Sequence, residues 1–165
     1  ALPAIVEHEG PVYIRLFRRQ AENVFDDDYE FDLGKADLLR DGSDVTLIAS
    51  GVCVANALQA AETLAQEGVS ARVLNIHTIK PIDADAVIKA ASETGALVTA
   101  ENHNVIGGLG SAAAEVLAEQ RPTPLERVGV KDHFGQVGKA PYLMGVFGIT
   151  AADIAKAARK AIARK

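Results

Sequence analysis

Three arginines near the start of the chain are the residues best suited to bind an anion. Arg15, Arg18 and Arg19 lie in the stretch GPVYIRLFRR, residues 10–19, where alternating apolar residues after a Gly-Pro turn predict a strand. A guanidinium binds phosphate or carboxylate well because two of its N–H groups can donate to two oxygens at once. We therefore expect an anion site here. The alternative is that Arg15 and Arg19 pair with the acidic residues Asp26 to Asp28.

A glutamate and two histidines are candidates for acid–base chemistry. His77 and His103 follow apolar runs that predict buried strands, and functional residues of open α/β sheets lie at the carboxyl ends of strands. Glu101 and His103 are two residues apart, so on an extended chain they could share a face and act as an acid–base pair. The alternative that we favour is a loop that contacts another domain.

A glycine-rich turn provides a second candidate site. The sequence GGLGSAA, residues 107–113, has the G-x-G-x-x-A pattern ahead of a predicted helix. Such glycines let a backbone approach the pyrophosphate of a dinucleotide at the helix N-terminus, and an acidic residue follows about 20 residues later. Asp132 lies near that place. Because HNVIG separates the glycines from the preceding strand, a tight crossover with close helix–sheet packing is the competing interpretation.

Composition excludes several classes of protein. A net charge of −5 over 165 residues provides no broad basic surface for nucleic acid. The single cysteine, Cys53, cannot form an internal disulfide and fits a reducing compartment. Four histidines without ligand spacing predict no metal site, and no motif predicts a catalytic nucleophile. The sequence has neither a signal peptide nor an apolar run of about 18 residues, so we expect a cytoplasmic protein.

Regularly alternating elements predict an α/β fold. Four apolar runs (VTLIAS, ARVLNIH, ALVTAEN and PLERVGV) predict buried strands, and helical patterns lie between them. Strands separated by single helices indicate right-handed crossovers and a parallel sheet. Asp41-Gly42 between two apolar runs predicts a hairpin, which adds an antiparallel edge strand. Asp83 and Thr150 are predicted N-caps, and a loop rich in Gly and Pro precedes Thr150. The opening ALPAIVEHEG resembles the last turns of a helix followed by Gly10, as in a fragment of a larger chain.

The order and spacing of four segments resemble the C-terminal domain of transketolases. These segments are FDLGKADLLRDGSDVTLIASG, ARVLNIHTIKPID, LVTAENHNVIGGLGSA and KDHFGQVGKAPYLMGVFGITAADI. The likeness is strongest to the separate C-terminal subunit of split bacterial transketolases. Deoxyxylulose-phosphate synthases and the E1 β subunits of 2-oxo-acid dehydrogenases share this domain. One departure is GQVG, residues 135–138, where split transketolases tend to have a Glu-Ser pair between the glycines.

The resemblance implies a domain division and a reaction. It implies a single three-layer α/β domain over residues 35–165, a linker over 21–34, and the end of a pyrimidine-binding domain over 1–20. The parent enzyme would transfer a two-carbon ketol unit between sugar phosphates with thiamine diphosphate and a divalent cation, Mg²⁺ or Ca²⁺. Arg18 matches an arginine that holds the substrate phosphate, and Arg15 is a second, weaker match. Phe17 stands where split subunits usually have glycine or proline, which leaves room for a local turn unlike theirs.

The resemblance also implies that most of the active site lies elsewhere. The glutamate that activates the cofactor and the G-D-G motif that holds its diphosphate are absent from these 165 residues. We therefore expect that the isolated chain is inactive and binds no thiamine diphosphate. Its implied partners are the N-terminal cofactor-binding domain or subunit and the pyrimidine domain, in a homodimer or heterotetramer. Glu101, His103 and His133, in loops 101–106 and 133–142, are the candidate interface residues.

Overall fold

The computed structural model describes residues 1–18 and 21–165. Over these residues the elements follow one another in the order α1 (Leu2–Glu7), β1 (Asp37–Arg40), β2 (Val45–Ala49), α2 (Cys53–Gln66), β3 (Ala71–Asn75), α3 (Ala84–Thr94), β4 (Leu97–Asn104), α4 (Leu109–Gln120), β5 (Leu125–Val130), α5 (Ala140–Phe147) and α6 (Ala151–Ile162). None of the helices in these ranges is long and apolar enough to cross a bilayer.

A five-stranded sheet with helices on both faces forms the core. The strand order is β1-β3-β2-β4-β5, and all neighbouring pairs are parallel except β1 with β3. On the central strand β2, Leu47 packs with the residues of α2 and α6, whereas Ile48 packs with those of α3 and α4. Strand alternation thus directs neighbouring side chains into two separate apolar layers. The predicted three-layer, mostly parallel fold with one antiparallel edge strand is confirmed.

The predicted helix ends are also confirmed. Asp83 caps α3 by accepting a hydrogen bond from the N–H of Ala86 at 3.0 Å, and α3 ends at Gly95, which has a left-handed φ of +66°. Thr150 and Asp153 form a reciprocal capping box at the start of α6. Side chains close in sequence determine these ends, and local spacing was therefore enough to find them.

The predicted hairpin is wrong. β1 and β2 are not neighbours, because β3 lies between them and pairs with both. The turn at Asp41 and Gly42 carries the chain past the start of β3, so closely that a Cβ on Gly42 would lie 2.4 Å from the carbonyl carbon of Ala71. Contacts with β3, which are distant in sequence, therefore decide the pairing.

Residues 11–17 pair with none of the described strands, and their expected place as the last strand of a preceding pyrimidine-binding domain stays a prediction. One further expectation needs correction. The loop expected before Thr150 contains the helix α5, which has a proline in its first turn and ends at Gly148 with a φ of +64°. At the start of the chain, α1 ends at Glu7 with His8 as its C-cap, so Gly10 is not the residue directly after the cap.

Candidate functional site

The carboxylate of Glu101 fills the N-terminus of α4. Its two oxygens accept hydrogen bonds from the backbone N–H groups of Leu109 and Gly110, each at 2.8 Å, and the residue is only 1% exposed. The first N–H groups of a helix have no partner within the helix and carry a partial positive charge, so they attract an anion. Here the chain itself provides that anion.

The glycine-rich turn is shaped around this carboxylate. A Cβ on Gly108 would lie 1.9 Å from Oε2 of Glu101, and one on Gly110 would lie 2.8 Å from Cδ of Arg127 and 2.9 Å from Oγ1 of Thr99. The glycines therefore allow close packing between helix and sheet. Because Glu101 occupies the N–H groups that a pyrophosphate would need, the dinucleotide alternative is wrong. Asp132, its expected ribose ligand, accepts a hydrogen bond from Asn104 at 3.2 Å.

Glu101 and His103 do not form the acid–base pair that their spacing allows. The carboxylate of Glu101 points inward to α4, whereas the exposed imidazole of His103 has its Nδ1 2.8 Å from the carbonyl oxygen of Asn104. Burial also removes Glu101 from the candidate interface residues, because its side chain cannot touch another domain. His103 and His133 are exposed and remain predicted contacts. Next to His133, Phe134 is fully exposed to solvent.

His77 belongs to a cluster that ties residues 29–37 to the end of β3. Its Nδ1 is 2.8 Å from Oγ1 of Thr78, and its Nε2 is 4.0 Å from the carboxylate of Asp37. Asp37 also accepts hydrogen bonds from Asn75 at 2.8 Å and from the hydroxyl of Tyr29 at 3.0 Å. Burial lowers the pKa of His77, and the nearby Asp37 only partly opposes that effect. Burial, together with the hydrogen bond to Asp37, raises the pKa of Tyr29 to about 12.

The predicted anion-binding arginines differ in their contacts. The guanidinium of Arg15 donates a hydrogen bond to the carbonyl oxygen of Asn102 in β4, rather than to the acidic residues that follow it in sequence. Arg18 is exposed at a bend. Arg19 lies outside the described residues. Arg15 and Arg18 are therefore both exposed, and Arg15 in addition binds the domain through one hydrogen bond.

A groove lies beside this segment, at the carboxyl ends of β2 and β3. It has a volume of about 400 Å³ and is mostly apolar. Its walls come from Phe17, the stretch 21–25, the start of α2, the end of β3 and α5; they include Phe25, Val52, His77 and Met144. The sequence did not predict the groove because one of its walls, α5, was expected to be a loop.

Thiamine diphosphate would need a metal ion or a helix N-terminus to hold its diphosphate. Within residues 1–18 and 21–165 no three His, Cys, Asp or Glu side chains are grouped to hold the metal ion that would bind a diphosphate. The glycine-rich helix N-terminus, where a phosphate would otherwise bind, is taken by Glu101. The expectation that the isolated chain binds no thiamine diphosphate stays a prediction.

The chain belongs to the family described as transketolase, C-terminal domain, which it matches over residues 34–154. It is 58% identical to the 6-deoxy-6-sulfo-D-fructose transketolase subunit SqwH of Clostridium sp. (strain MSTE9), over 100% of this chain and 51% of that protein. It is 41% identical to an apulose-4-phosphate transketolase subunit of Phocaeicola vulgatus, over 93% of this chain and 49% of that protein. The resemblance found in the sequence is confirmed.

Solved structures show the same fold. The chain superposes on a structure described as a split gene transketolase, inactive beta4 tetramer, with a TM-score of 0.95 and 46% identity, over 98% of this chain and 53% of that one. A more distant match, the transketolase from Leishmania mexicana, has a TM-score of 0.60 and 23% identity, over 79% of this chain and 18% of that one, and shows the fold alone. The chain spans about half the length of the curated split-subunit relatives it matches.

Proposed function

We propose that this chain is the C-terminal part of a split transketolase subunit. The parent enzyme transfers a two-carbon ketol unit from a ketose to an aldose, with thiamine diphosphate and a divalent cation held by other parts of the assembly. The observation that carries this proposal is the 58% identity to a transketolase subunit along the whole length of the chain. The division into residues 1–20, 21–34 and 35–165 and a cytoplasmic location are part of the same proposal.

Arg18 holds the charged end of the sugar substrate in this proposal. It is exposed, and a guanidinium can donate two parallel hydrogen bonds to a tetrahedral anion. Its contribution is to fix the position of the substrate and to neutralise the charge of its anionic end, rather than to make or break bonds. The names of the relatives include both a sulfonated and a phosphorylated sugar. Phosphate and sulfonate have the same arrangement of three terminal oxygens, so either could occupy this place.

The domain itself has mainly an assembly role. It packs on the pyrimidine domain and extends the interface of a homodimer or of a heterotetramer with an N-terminal subunit. His103, His133 and the loop 133–142, with its exposed Phe134 and Val137, are the proposed contact surface. The chain alone is expected to be inactive, because the family resemblance places the residues that activate and hold the cofactor in other parts of the enzyme.

A deoxyxylulose-phosphate synthase is the second candidate for the parent. The synthase of Geobacter sulfurreducens is 38% identical over 99% of this chain, although the chain covers only 26% of that protein. The chemistry separates the two, because the synthase type releases carbon dioxide from pyruvate whereas ketol transfer releases an aldose.

The test is ketol transfer by the protein that carries these residues, assembled with an N-terminal transketolase subunit. Fructose 6-phosphate, 6-deoxy-6-sulfofructose and pyruvate are supplied in turn as donors with glyceraldehyde 3-phosphate. We expect transfer from at least one of the two anionic ketoses, and a rise in KM of about 100-fold in Arg18→Met, the size expected for a charged hydrogen-bonding partner. Arg121→Met, an exposed arginine after α4, is the control. If pyruvate were the only one of the three donors to react, the parent would be a synthase rather than a transketolase.

A further inference from the structure

The strand order reverses between β2 and β4, which marks a crevice at the carboxyl ends of these two strands. From β2 the chain crosses to β3 on one side, and β4 is then added on the other side of β2. Open α/β sheets bind ligands at the carboxyl ends of the strands where the order reverses in this way. In this domain that position is next to Gly51, just after β2, and to Asn102, near the end of β4.

The chain's own segment, residues 15–17, lies across this crevice. Arg15 donates its hydrogen bond to the carbonyl oxygen of Asn102, and Phe17 lines the groove together with Gly51 and Val52. Burial raises the pKa of Cys53, the first residue of α2, and the charge of Arg15 opposes that rise in part. The segment is therefore held at two points, by a polar contact at β4 and an apolar contact beside β2.

The acceptor of Arg15 is itself fixed in place. Asn102 directly follows Glu101, whose carboxylate is bound to the N-terminus of α4 at two points. A carbonyl oxygen attracts a guanidinium but repels the oxygens of a phosphate, because both are hydrogen-bond acceptors. The surroundings of Arg15 therefore favour a contact with the domain over a contact with an anionic substrate.

We propose that Arg15 is a positioning residue, which fixes the segment 15–17 in the crevice between β2 and β4 and thereby places Arg18 for the charged end of the substrate. The inference rests on the proposed function, since it requires Arg18 to bind that anion. It gives the C-terminal domain a part in substrate recognition beyond assembly. It also removes Arg15 from the residues that touch the substrate.

A double-mutant cycle tests this role in the assembled enzyme. Arg15→Met, Arg15→Lys, Arg18→Met and the Arg15→Met/Arg18→Met pair are compared with an anionic ketose donor and with hydroxypyruvate, which has no phosphate or sulfonate. We expect Arg15→Met to raise KM for the anionic donor about tenfold, as for one hydrogen bond from a charged group. Arg15→Met should leave kcat/KM for hydroxypyruvate unchanged. In a protein that already carries Arg18→Met, it should raise KM for the anionic donor no further. Arg15→Lys, which keeps a donor and the charge, should retain most of the affinity.

Two outcomes would overturn the positioning role. Additive effects of the Arg15 and Arg18 substitutions would make Arg15 a direct ligand of the anion. Equal losses of kcat/KM with the anionic donor and with hydroxypyruvate would mean that Arg15 only supports the fold.

Hydrogen exchange tests the anchor without any activity. In the substrate-free assembly we expect faster exchange in residues 11–18 for Arg15→Met, a smaller change for Arg15→Lys, and none for the control Arg121→Met. Unchanged exchange in Arg15→Met would refute the anchor. Faster exchange with an unchanged KM for the anionic donor would refute the positioning role. An assembly that exchanges as expected but transfers no ketol unit would instead refute the proposed function.

Discussion

Replacing Glu101 by glutamine tests the internal cap of α4 directly. The substitution keeps the size of the side chain but removes its charge and converts one oxygen into an NH₂ group. In the native protein each oxygen accepts one backbone N–H, from Leu109 and from Gly110, at 2.8 Å. The new NH₂ group must therefore face one of these two N–H groups, so that a donor opposes a donor in a buried place.

The expected cost follows from these contacts. A hydrogen bond to a charged group contributes about 1.5–3 kcal/mol, and the favourable position of an anion at a helix N-terminus adds about 0.3–1 kcal/mol. Glutamine retains one hydrogen bond, and it no longer requires a charge to be buried, which offsets part of the loss. We therefore expect the free energy of unfolding to fall by about 2 kcal/mol, a substantial part of the roughly 5–15 kcal/mol that stabilises a typical domain.

Urea unfolding of the purified chain, followed by circular dichroism at pH 7, measures this change. The matched control is Glu115→Gln, on the exposed face of the same helix, which should change the free energy of unfolding by less than about 0.5 kcal/mol. If Glu101→Gln behaves like Glu115→Gln, the carboxylate does not stabilise α4 and the reasoning is refuted.

Three other predictions concern packing and titration. Gly42→Ala should lower the free energy of unfolding by about 2 kcal/mol, because its Cβ would lie 2.4 Å from the backbone of Ala71. Gly145→Ala, in open space within a helix, should raise that free energy by about 0.5 kcal/mol. Similar urea midpoints for the two variants would contradict this prediction. Cys53 is fully buried and its pKa is raised to about 12, chiefly by burial, so a disulfide reagent should label it only as fast as the protein unfolds. Immediate labelling would show that the thiol is accessible. Burial lowers the pKa of His77, so the unfolded chain binds a proton at this side chain more readily than the folded chain does. The free energy of unfolding should therefore fall as the pH drops below about 6.5. If a His77→Gln variant showed the same pH dependence, His77 would not be the cause.

The sequence predicts the fold wherever neighbouring residues decide it. The apolar run of β2, the cap at Asp83 and the capping box at Thr150 were all evident from local spacing. The pairing of β1 could not be predicted in this way. The turn at Gly42 shows that the chain reverses, but it does not show which strand β1 pairs with. The helix α5 was missed because glycine and proline indicate a loop, although a proline in the first turn and Gly148 after the last residue also fit a helix.

The candidate site was less predictable because its main contacts use the backbone. The acceptor of Arg15 is the carbonyl group of Asn102, and a backbone group has no signature in the sequence. The partners of Glu101 are likewise backbone N–H groups of α4. A buried glutamate seven residues before the glycine pair at Gly108 and Gly110 was the available signal. The spacing to His103 suggested an acid–base pair, and the interpretation we favoured was a loop that contacts another domain; neither places the carboxylate at the N-terminus of α4.

Burial decides which of the chain's two anion-attracting features can receive a ligand. The N-terminus of α4 and the arginine segment both favour negative charge, in a chain whose net charge is −5. At α4, Glu101 already provides the anion and is sealed from solvent, so an external phosphate would have to displace a carboxylate with two hydrogen bonds. Within the arginine segment, Arg15 and Arg18 are both exposed, and Arg15 also donates a hydrogen bond to the carbonyl oxygen of Asn102. The proposed function therefore assigns the phosphate or sulfonate of the sugar to the arginine segment, at Arg18, and not to the N-terminus of α4.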